Sequence, residues 1–373
     1  MSIQIDSYLR KRGVNGPWRL SPIPNHKFQS IVIIPAYAEL EYINQTLDSL
    51  SKCEVDSFND IMVVVVVNNE VDATAQIIEN NKQTLSNLKN RRDPFFLALI
   101  DVASKEKRIP KKHAGVGMAR KIGMDIALEF ATPESLLFCL DADSLVNPAY
   151  FRKIHSHFKL NDSVAAVVGF SHIKNENPNL EMAIRQYELF LRDTAIKLKE
   201  AGSPFGYVAM GSTIICSAGA YISIGGMSKR KATEDFYFLQ ELAKFRGVTE
   251  LKSILVYPSS RESERVYLGT GFRMSQATNG KNLGELAYPN EAFDILKKWL
   301  RIASFGYKED INNIMINVQK LNIVLYDYLL EENIIEIWNP LWESTPTEVH
   351  FQKQFHRWFD ALKTHRLLNR FLP

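Results

Sequence analysis

Two aspartates separated by one residue follow a hydrophobic segment near the middle of the sequence. The stretch LLFCLDADSL (136–145) places Asp141 and Asp143 directly after an apolar run. Two neighbouring carboxylates repel each other unless a cation or hydrogen-bond donors lie between them, and oxygen ligands of this kind suit Mg²⁺ or Mn²⁺. The spacing alone leaves a second interpretation open, in which Asp143 and Ser144 only close a turn.

A second pair of acids, Glu234 and Asp235, stands at the predicted start of a helix in ATEDFYFLQELAKFRG. Acidic side chains in a first helical turn interact favourably with the helix dipole, and this alone can account for them. The functional alternative is that one carboxylate projects into a cleft and acts as a general base.

Two further segments combine cations with glycines. The segment KRIPKKHAGVGMARKIGMD carries His113, Gly117 and Arg120. The composition of the segment SSRESERVYLGTGFRM is compatible with an anion-binding loop. The residues selected in that loop are Arg261, Arg265, Gly269, Thr270 and Gly271. Glycines let a ligand approach the backbone, and cations suit phosphate groups. Solvated surface charge is the alternative for the first segment, and an ordinary surface loop is the alternative for the second.

Strands and helices alternate in the way that is typical of an α/β domain. Ile31–Ile34 and the run of five valines in DIMVVVVVNNE predict strands buried on both faces. We therefore predict a mostly parallel, mixed sheet flanked by helices, followed by a C-terminal helical region. Ligands of such sheets bind beyond the carboxyl ends of the strands. This edge should carry residues 35–39, 68–70 and 141–143.

Composition limits the classes of function. The net charge of +3, from 45 basic and 42 acidic residues, gives no case for nucleic-acid binding. No apolar run reaches the roughly 18 residues of a membrane-spanning helix, and the N-terminus lacks the hydrophobic region of a signal peptide. We expect a cytoplasmic protein, with peripheral membrane contact left open. Cys53, Cys139 and Cys216 should be free buried thiols.

Taken in their order, these segments resemble the family 2 glycosyltransferases, which have the GT-A fold. The family's typical forms are PxYNE, a strand ending in Asp, G-x-x-x-ARN-x-G, Asp-x-Asp and a late Glu-Asp. The corresponding segments here are PAYAE, the Asn68-Asn69 pair, GVGMARKIG, DAD and TED, within about Ser30–Gly247. The resemblance implies an inverting hexosyltransferase that uses a UDP- or GDP-sugar and Mg²⁺ or Mn²⁺. Its acceptor would be a saccharide, a lipid-linked glycan or a small molecule.

The resemblance also implies roles for single residues. Asp143 would ligate the metal, Asp141 would approach the ribose or sugar, and Asp235, beside Glu234, would be the general base. The other residues implied to bind the nucleotide-sugar are Pro35, Ala36, Tyr37, Glu39, Asn68, Gly117, Arg120 and Ala142. His113 and the loop of Arg261, Arg265, Gly269, Thr270 and Gly271 would serve the phosphates or the acceptor.

The sequence also predicts a division of the chain into three parts. Residues 1–29 form an N-terminal arm, residues 30–285 the GT-A catalytic domain, and residues 286–373 the C-terminal helical region. Within the catalytic domain, about 30–145 would bind the nucleotide-sugar and about 146–285 the acceptor.

Some positions depart from the family pattern. Ala38 and Lys121 stand where the family has Asn, and Asn68-Asn69 replace its usual Asp, so the donor nucleotide stays open. No QxxRW follows TED, which argues against a processive polysaccharide synthase. A nicotinamide dehydrogenase would need a glycine fingerprint after the first strand, and PAYAEL lacks it. The remaining alternatives are a sugar nucleotidyltransferase of similar fold and a non-catalytic module that binds nucleotide-sugars.

Overall fold

A computed structural model describes residues 2–263 and 269–372. They form two compact units, of which the first comprises Met1–Ile184 and Ala209–Lys281 and the second Arg185–Val208 and Asn282–Pro373. The predicted boundaries at residues 29 and 285 stay predictions. Arg265, one of the residues selected from the sequence, lies outside the described residues.

The first unit is built on one mixed sheet. Its strands are β1 (Leu20–Ser21), β2 (Phe28–Ala36), β3 (Ile61–Asn68), β4 (Phe96–Val102), β5 (Ala131–Cys139), β6 (Leu145–Val146), β7 (Ala165–Phe170), β8 (Ile214–Ser217) and β9 (Thr249–Tyr257). The spatial order is β1-β4-β3-β2-β5-β8-β7-β9-β6. Strands β4, β3, β2 and β5 are parallel, whereas β8 runs antiparallel to β5 and β7. The predicted fold class is confirmed.

Helices surround this sheet and make up the second unit. They are α1 (Ser2–Arg12), α2 (Ile43–Ser51), α3 (Ala75–Lys89), α4 (Val116–Ala127), α5 (Tyr150–Asn161), α6 (Pro178–Glu200), α7 (Ala218–Ser223), α8 (Glu234–Arg246), α9 (Thr270–Thr278), α10 (Asn290–Phe305), α11 (Ile311–Leu321), α12 (Ile323–Glu331), α13 (Ile334–Glu343), α14 (Glu348–Trp358) and α15 (Ala361–Asn369). The predicted C-terminal helical region is thus confirmed as α10–α15. Among the described helices, none combines the length and the apolar character that crossing a membrane requires.

The parallel strands bring the predicted site residues to one edge. Every residue of β3 is buried, as the valine run predicts for a strand covered on both faces. Ala36 at the end of β2 pairs with Val67 of β3, and Ile33 pairs with Cys139 at the end of β5. The segments that follow β2, β3 and β5 therefore leave the sheet on the same side.

Helix α4 lies very close to the sheet because it carries a glycine at the contact. A Cβ atom at Gly123 would lie 2.6 Å from Cγ2 of Ile33 and 2.9 Å from Cγ2 of Val66. Carbon atoms in proteins do not approach so closely without one of them moving. The glycine thus sets the distance between the sheet and the helix that carries Arg120.

A buried polar network holds the N-terminal helix to α4. Asp125 accepts hydrogen bonds from the hydroxyl of Tyr8 (2.9 Å), the hydroxyl of Tyr221 (2.7 Å) and the backbone N–H of Val14 (2.9 Å). Lys121 pairs with the same carboxylate at 2.9 Å and donates to the Tyr8 hydroxyl at 3.0 Å. The departure from the family's Asn at position 121 therefore has a structural explanation.

The second unit has an aromatic core of its own. Trp299 and Trp338 are fully buried, with ring centroids 6.4 Å apart. Phe355 packs against Trp299 in an edge-to-face arrangement at 5.6 Å, a geometry that suits the quadrupoles of aromatic rings. All three cysteines of the chain lie in the first unit and are buried free thiols, as predicted.

The contact between α4 and the sheet predicts the effect of a larger side chain. Gly123→Val should lower the free energy of unfolding by about 2–3 kcal/mol, because the branched side chain overpacks against Ile33 and Val66. Urea unfolding followed by circular dichroism measures this. Ser86→Val at an exposed position of α3 is the control and should change the value by less than about 0.5 kcal/mol. Equal effects of the two substitutions would contradict the close contact.

Candidate active site

The turn after β2 is fixed by side chains from α3 and from the segment after β3. Ala38 adopts a φ of 55°, a left-handed conformation that Asn and Gly accept more readily than Ala. Its N–H donates to Oδ1 of Asn81 at 2.9 Å, and the hydroxyl of Tyr37 donates to Oε1 of Glu70 at 2.9 Å. The segment Pro35–Glu39, predicted to bind the nucleotide, is thus held in one shape.

Asn68 ends β3 with an unused hydrogen-bond acceptor. Its side chain is 4 % exposed, and its Oδ1 atom has no partner among the described residues. Asn81 donates to the backbone oxygen of Asn68 at 3.1 Å and to Oδ1 of Asn69 at 2.9 Å. Of the two asparagines that replace the family's Asp, Asn69 is therefore committed to the protein. A buried acceptor without a partner costs stability, so the Oδ1 atom of Asn68 is suited to a ligand.

The Asp-x-Asp segment follows β5 and is anchored by its middle residue. Thr46 donates to the backbone oxygen of Ala142 at 2.8 Å. The N–H of Ser144 closes a turn onto the backbone oxygen of Asp141 at 3.1 Å. The capped turn and the carboxylate site proposed from the sequence are therefore compatible. Asp141 keeps 36 % of its side chain exposed and Asp143 keeps 18 %.

Asp143 shares an arginine with Glu39. Nε of Arg261 lies 2.7 Å from Oδ2 of Asp143, and its Nη2 lies 2.6 and 2.7 Å from the two oxygens of Glu39. The guanidinium also stacks over the ring of Tyr42 at 4.4 Å. Burial raises the pKa of Asp143 to about 6, against the lowering effect of Arg261, and the charges of Asp141 and Glu39 add to the rise.

A second arginine, Arg120 on α4, lies inside the protein between two carboxylates. Its side chain is 2 % exposed. Nη1 is 2.5 Å from Oε1 of Glu234, and Nη2 pairs with Oδ1 of Asp141. A Cβ atom at Gly211 would lie 2.6 Å from Nη1, so a glycine leaves the space that this guanidinium fills. The two carboxylates hold the pKa of Arg120 above its ordinary value despite its burial.

The acids at the start of α8 have different surroundings. Glu234 is 3 % exposed and bound to Arg120, whereas Asp235 is half-buried and accepts a hydrogen bond from the N–H of Phe236 at 2.8 Å. Burial raises the pKa of Glu234 to about 7, against the effect of Arg120, with a further rise from Asp235. Burial likewise raises the pKa of Asp235, which Arg120 and the Phe236 hydrogen bond oppose.

Gly117 and His113 lie at and before the start of α4. A Cβ atom at Gly117 would collide with the backbone oxygen of Arg230 and lie 2.9 Å from Cβ of Glu234. Gly117 therefore allows α4 to meet the segment that leads into α8. His113 belongs to the preceding turn, where its N–H donates to the backbone oxygen of Pro110 at 2.8 Å. Direct contact of these residues with a donor stays a prediction.

The glycines of the predicted loop lie at the start of α9. Gly269 has a φ of 86° and caps this helix, a conformation that favours glycine. Thr270 Oγ1 lies 3.1 Å from Nε2 of His172, and the backbone oxygen of Gly271 accepts from the N–H of Ser263 at 3.1 Å. Among the described members of the predicted loop, Arg261 contacts Asp143.

Several residues of the site carry no signal in the sequence. They are Tyr42, Thr46, Asn81 and Gly211. Each acts on a residue far away along the chain, so neither local spacing nor periodicity identifies it. Across the described ranges, no three His, Cys, Asp or Glu side chains form a cluster that could hold a metal ion by themselves.

Comparison with known proteins supports one family. The model of the family described as Glycosyl transferase family 2 matches residues 31–218, about half of the chain. No curated protein matches the sequence at a significant level.

Solved structures give weaker similarities. TarS residues 1–349 of S. aureus, in complex with UDP-GlcNAc, has 15 % identity and a TM-score of 0.48, covering 88 % of this chain and 90 % of that one. The mannosyltransferase PcManGT of Pyrobaculum calidifontis, in complex with GDP-Man and Mn²⁺, has 14 % identity and a TM-score of 0.44, covering 95 % and 94 %. Because both scores are below 0.5, the family assignment depends on the sequence match.

Removal of the Arg120 guanidinium should destabilise the first unit strongly. Arg120→Met should lower the free energy of unfolding by about 3–5 kcal/mol, because Glu234 is left buried without its cation. The double variant Arg120→Met/Glu234→Leu should recover part of this loss, since it removes the unpaired acid as well. Urea unfolding provides the measurement.

The matched control is Arg152→Met, which removes an arginine from an exposed pair with Glu54. This substitution should cost less than about 1 kcal/mol. If the double variant is no more stable than Arg120→Met alone, the buried pair does not have the role described.

Proposed function

The chain belongs to glycosyl transferase family 2 and is a glycosyltransferase, and we propose that it transfers a sugar with inversion from a nucleoside-diphosphate sugar to an acceptor hydroxyl. The observation that carries the proposal is one chain of contacts at the carboxyl edge of the sheet. Asp141 of the Asp-x-Asp segment is linked through Arg120 to Glu234, and the half-buried Asp235 is the next residue. Contacts within the protein therefore connect Asp141, proposed to face the donor, with the segment that carries the proposed base Asp235.

The donor nucleotide would lie against the turn after β2 and the end of β3. Pro35, Ala36, Tyr37 and Glu39 would line the base and ribose, and the unused Oδ1 atom of Asn68 would accept an N–H of the base. Uracil and guanine both present a ring N–H group, so UDP- and GDP-sugars are both compatible with this acceptor. The acceptor of the sugar remains a saccharide, a lipid-linked glycan or a small molecule.

Asp143 would hold Mg²⁺ or Mn²⁺. Magnesium sites of this type use one or two carboxylates and take their other ligands from water and substrate phosphates. A single protein ligand therefore fits a site at which no larger cluster of acids occurs among the described residues. The bound metal would neutralise the charge that grows on the departing diphosphate.

Asp235 would take the proton of the acceptor hydroxyl. It is half-buried, and the direction of its pKa shift is upward, which brings a carboxylate closer to the pH at which a general base is most effective. Glu234 is buried beside it and would keep Arg120 in place. Attack from the face opposite the diphosphate in one displacement gives inversion.

The family match supports glycosyl transfer over the sugar nucleotidyltransferase and the non-catalytic module. The cytoplasmic location stays a prediction from the sequence.

The metal assignment predicts how nucleotides stabilise the protein. UDP or GDP with Mn²⁺ should raise the melting temperature of the wild type more than the nucleotide alone, because ligands that bind only the folded state stabilise it. Asp143→Ala should lose this metal-dependent increment. A thermal-shift screen of nucleotides and nucleotide-sugars, with and without Mn²⁺, measures the effect and selects the donor.

The control is Asp193→Ala, which removes an exposed carboxylate of α6. It should leave the metal-dependent increment unchanged. A full increment in Asp143→Ala would reject Asp143 as the metal ligand.

The assignment of the base predicts a separation of binding from transfer. Asp235→Asn should lower the rate of sugar transfer by at least about 100-fold, because the amide cannot accept the proton, and should keep donor binding. The control is Glu241→Gln, an exposed acid on the same helix. Normal turnover of Asp235→Asn would reject the assignment.

The same base predicts the acid limb of the pH profile. A general base works in its deprotonated form, so activity falls as the pH drops through its pKa. Since burial raises the pKa of Asp235, this loss should begin at a higher pH than for an ordinary Asp, whose pKa is about 3.9. A kcat profile with no decline above about pH 4.5 would contradict the shift.

A further inference from the structure

The carboxylate proposed to bind the metal is already paired with a cation of the protein. Oδ2 of Asp143 lies 2.7 Å from Nε of Arg261. A divalent ion at this oxygen would compete with the guanidinium for the same negative charge. Metal binding at Oδ2 of Asp143 therefore favours the exchange of one cation for the other.

We propose that Arg261 is an internal counter-ion which the divalent metal displaces from Asp143, and that the displaced guanidinium then binds the diphosphate of the donor. The metal and the donor thereby enter together. This inference rests on the proposed function, since it takes Asp143 as the metal ligand.

Arg261 is anchored so that it can release Asp143 without leaving the site. Its Nη2 atom holds both oxygens of Glu39, which is 4 % exposed, and its planar group stacks over Tyr42. These contacts do not involve Asp143. A guanidinium has five N–H donors in a fixed plane, and such a group matches the geometry of phosphate oxygens.

The balance of charge favours joint entry. Among the described residues, Arg261 contacts two carboxylates, those of Glu39 and Asp143. A divalent metal alone would place two cations next to each other in a partly buried site, where like charges repel more strongly than in water. A diphosphate supplies the negative charge that both cations then share. Metal or nucleotide alone should accordingly bind less well than the two together.

Neutralising Arg261 should strengthen the binding of Mn²⁺ alone and weaken the binding of the nucleotide alone. In Arg261→Gln, the Kd of Mn²⁺ in the absence of nucleotide should fall at least about threefold, because its competitor is gone. The Kd of UDP or GDP without metal should rise at least about threefold, because a phosphate partner is lost. Free Mn²⁺ is followed by electron paramagnetic resonance, and nucleotide binding by calorimetry in EDTA.

Arg261→Lys separates direct competition from the general electric field. The lysine keeps the positive charge but cannot hold Glu39 and contact Asp143 with one planar group. It should therefore also tighten Mn²⁺ binding. A lysine variant with the wild-type Kd for Mn²⁺ would show that only charge matters and would overturn the proposal. Arg152→Gln, at an exposed arginine paired with Glu54, should leave both constants unchanged.

Asp143→Ala distinguishes failure of this inference from failure of the proposed function. Loss of Mn²⁺ binding in Asp143→Ala, together with an unchanged Kd in Arg261→Gln, would overturn only the role of Arg261. Unchanged Mn²⁺ binding in Asp143→Ala would instead remove the metal site itself. The proposal requires weaker Mn²⁺ binding in Asp143→Ala and tighter binding in Arg261→Gln.

Discussion

The buried guanidinium of Arg120 is the constraint on which the arrangement of the site depends. A cation that is 2 % exposed must be paired, because an unpaired charge in the interior is very costly. Arg120 therefore forms ion pairs with Asp141, which follows β5, and with Glu234, at the start of α8, and so holds these two segments together. Gly117 and Gly211 make this possible, since a Cβ atom at either position would occupy space that the pair and its surroundings need.

The partners of the acids separate their chemistry. Glu234 is buried against Arg120 and has no open face, and Asp141 is held by the same arginine. Asp143 is paired instead with Arg261, whose other carboxylate partner is Glu39. In the proposed function, Asp235, which is half-buried, would be the acid that meets the acceptor. In the function proposed, these four acids differ in role because three of them are paired with Arg120 or Arg261, whereas Asp235 forms no ion pair among the described residues.

The sequence predicts those parts of the structure that depend on local pattern. The valine run identifies β3 because a strand covered on both faces needs continuous apolar residues. Asp141 and Asp143 could be placed at a strand end for the same reason. The Arg120–Glu234 pair could not be predicted, because 114 positions separate its members and such pairing leaves no periodic signal. The left-handed turn at Ala38 could not be predicted either, since alanine gives no indication of that conformation.

The departures from the family pattern can now be sorted by their physical effect. Lys121 is satisfied by Asp125 and Tyr8, so this change belongs to the anchoring of the N-terminal helix. Ala38 alters the conformational preference of a turn whose shape Asn81 maintains. Asn68 exchanges a charged acceptor for a neutral one without supplying it with a protein partner. Of the three, Asn68 is the one whose side chain carries a buried acceptor without a partner among the described residues. In the proposed function, the side chain of Asn68 would meet the nucleobase with a neutral acceptor, whereas the family's usual aspartate would meet it with a negative charge. Position 68 is therefore where the nucleotide selectivity of this chain would differ from that of family members with an aspartate.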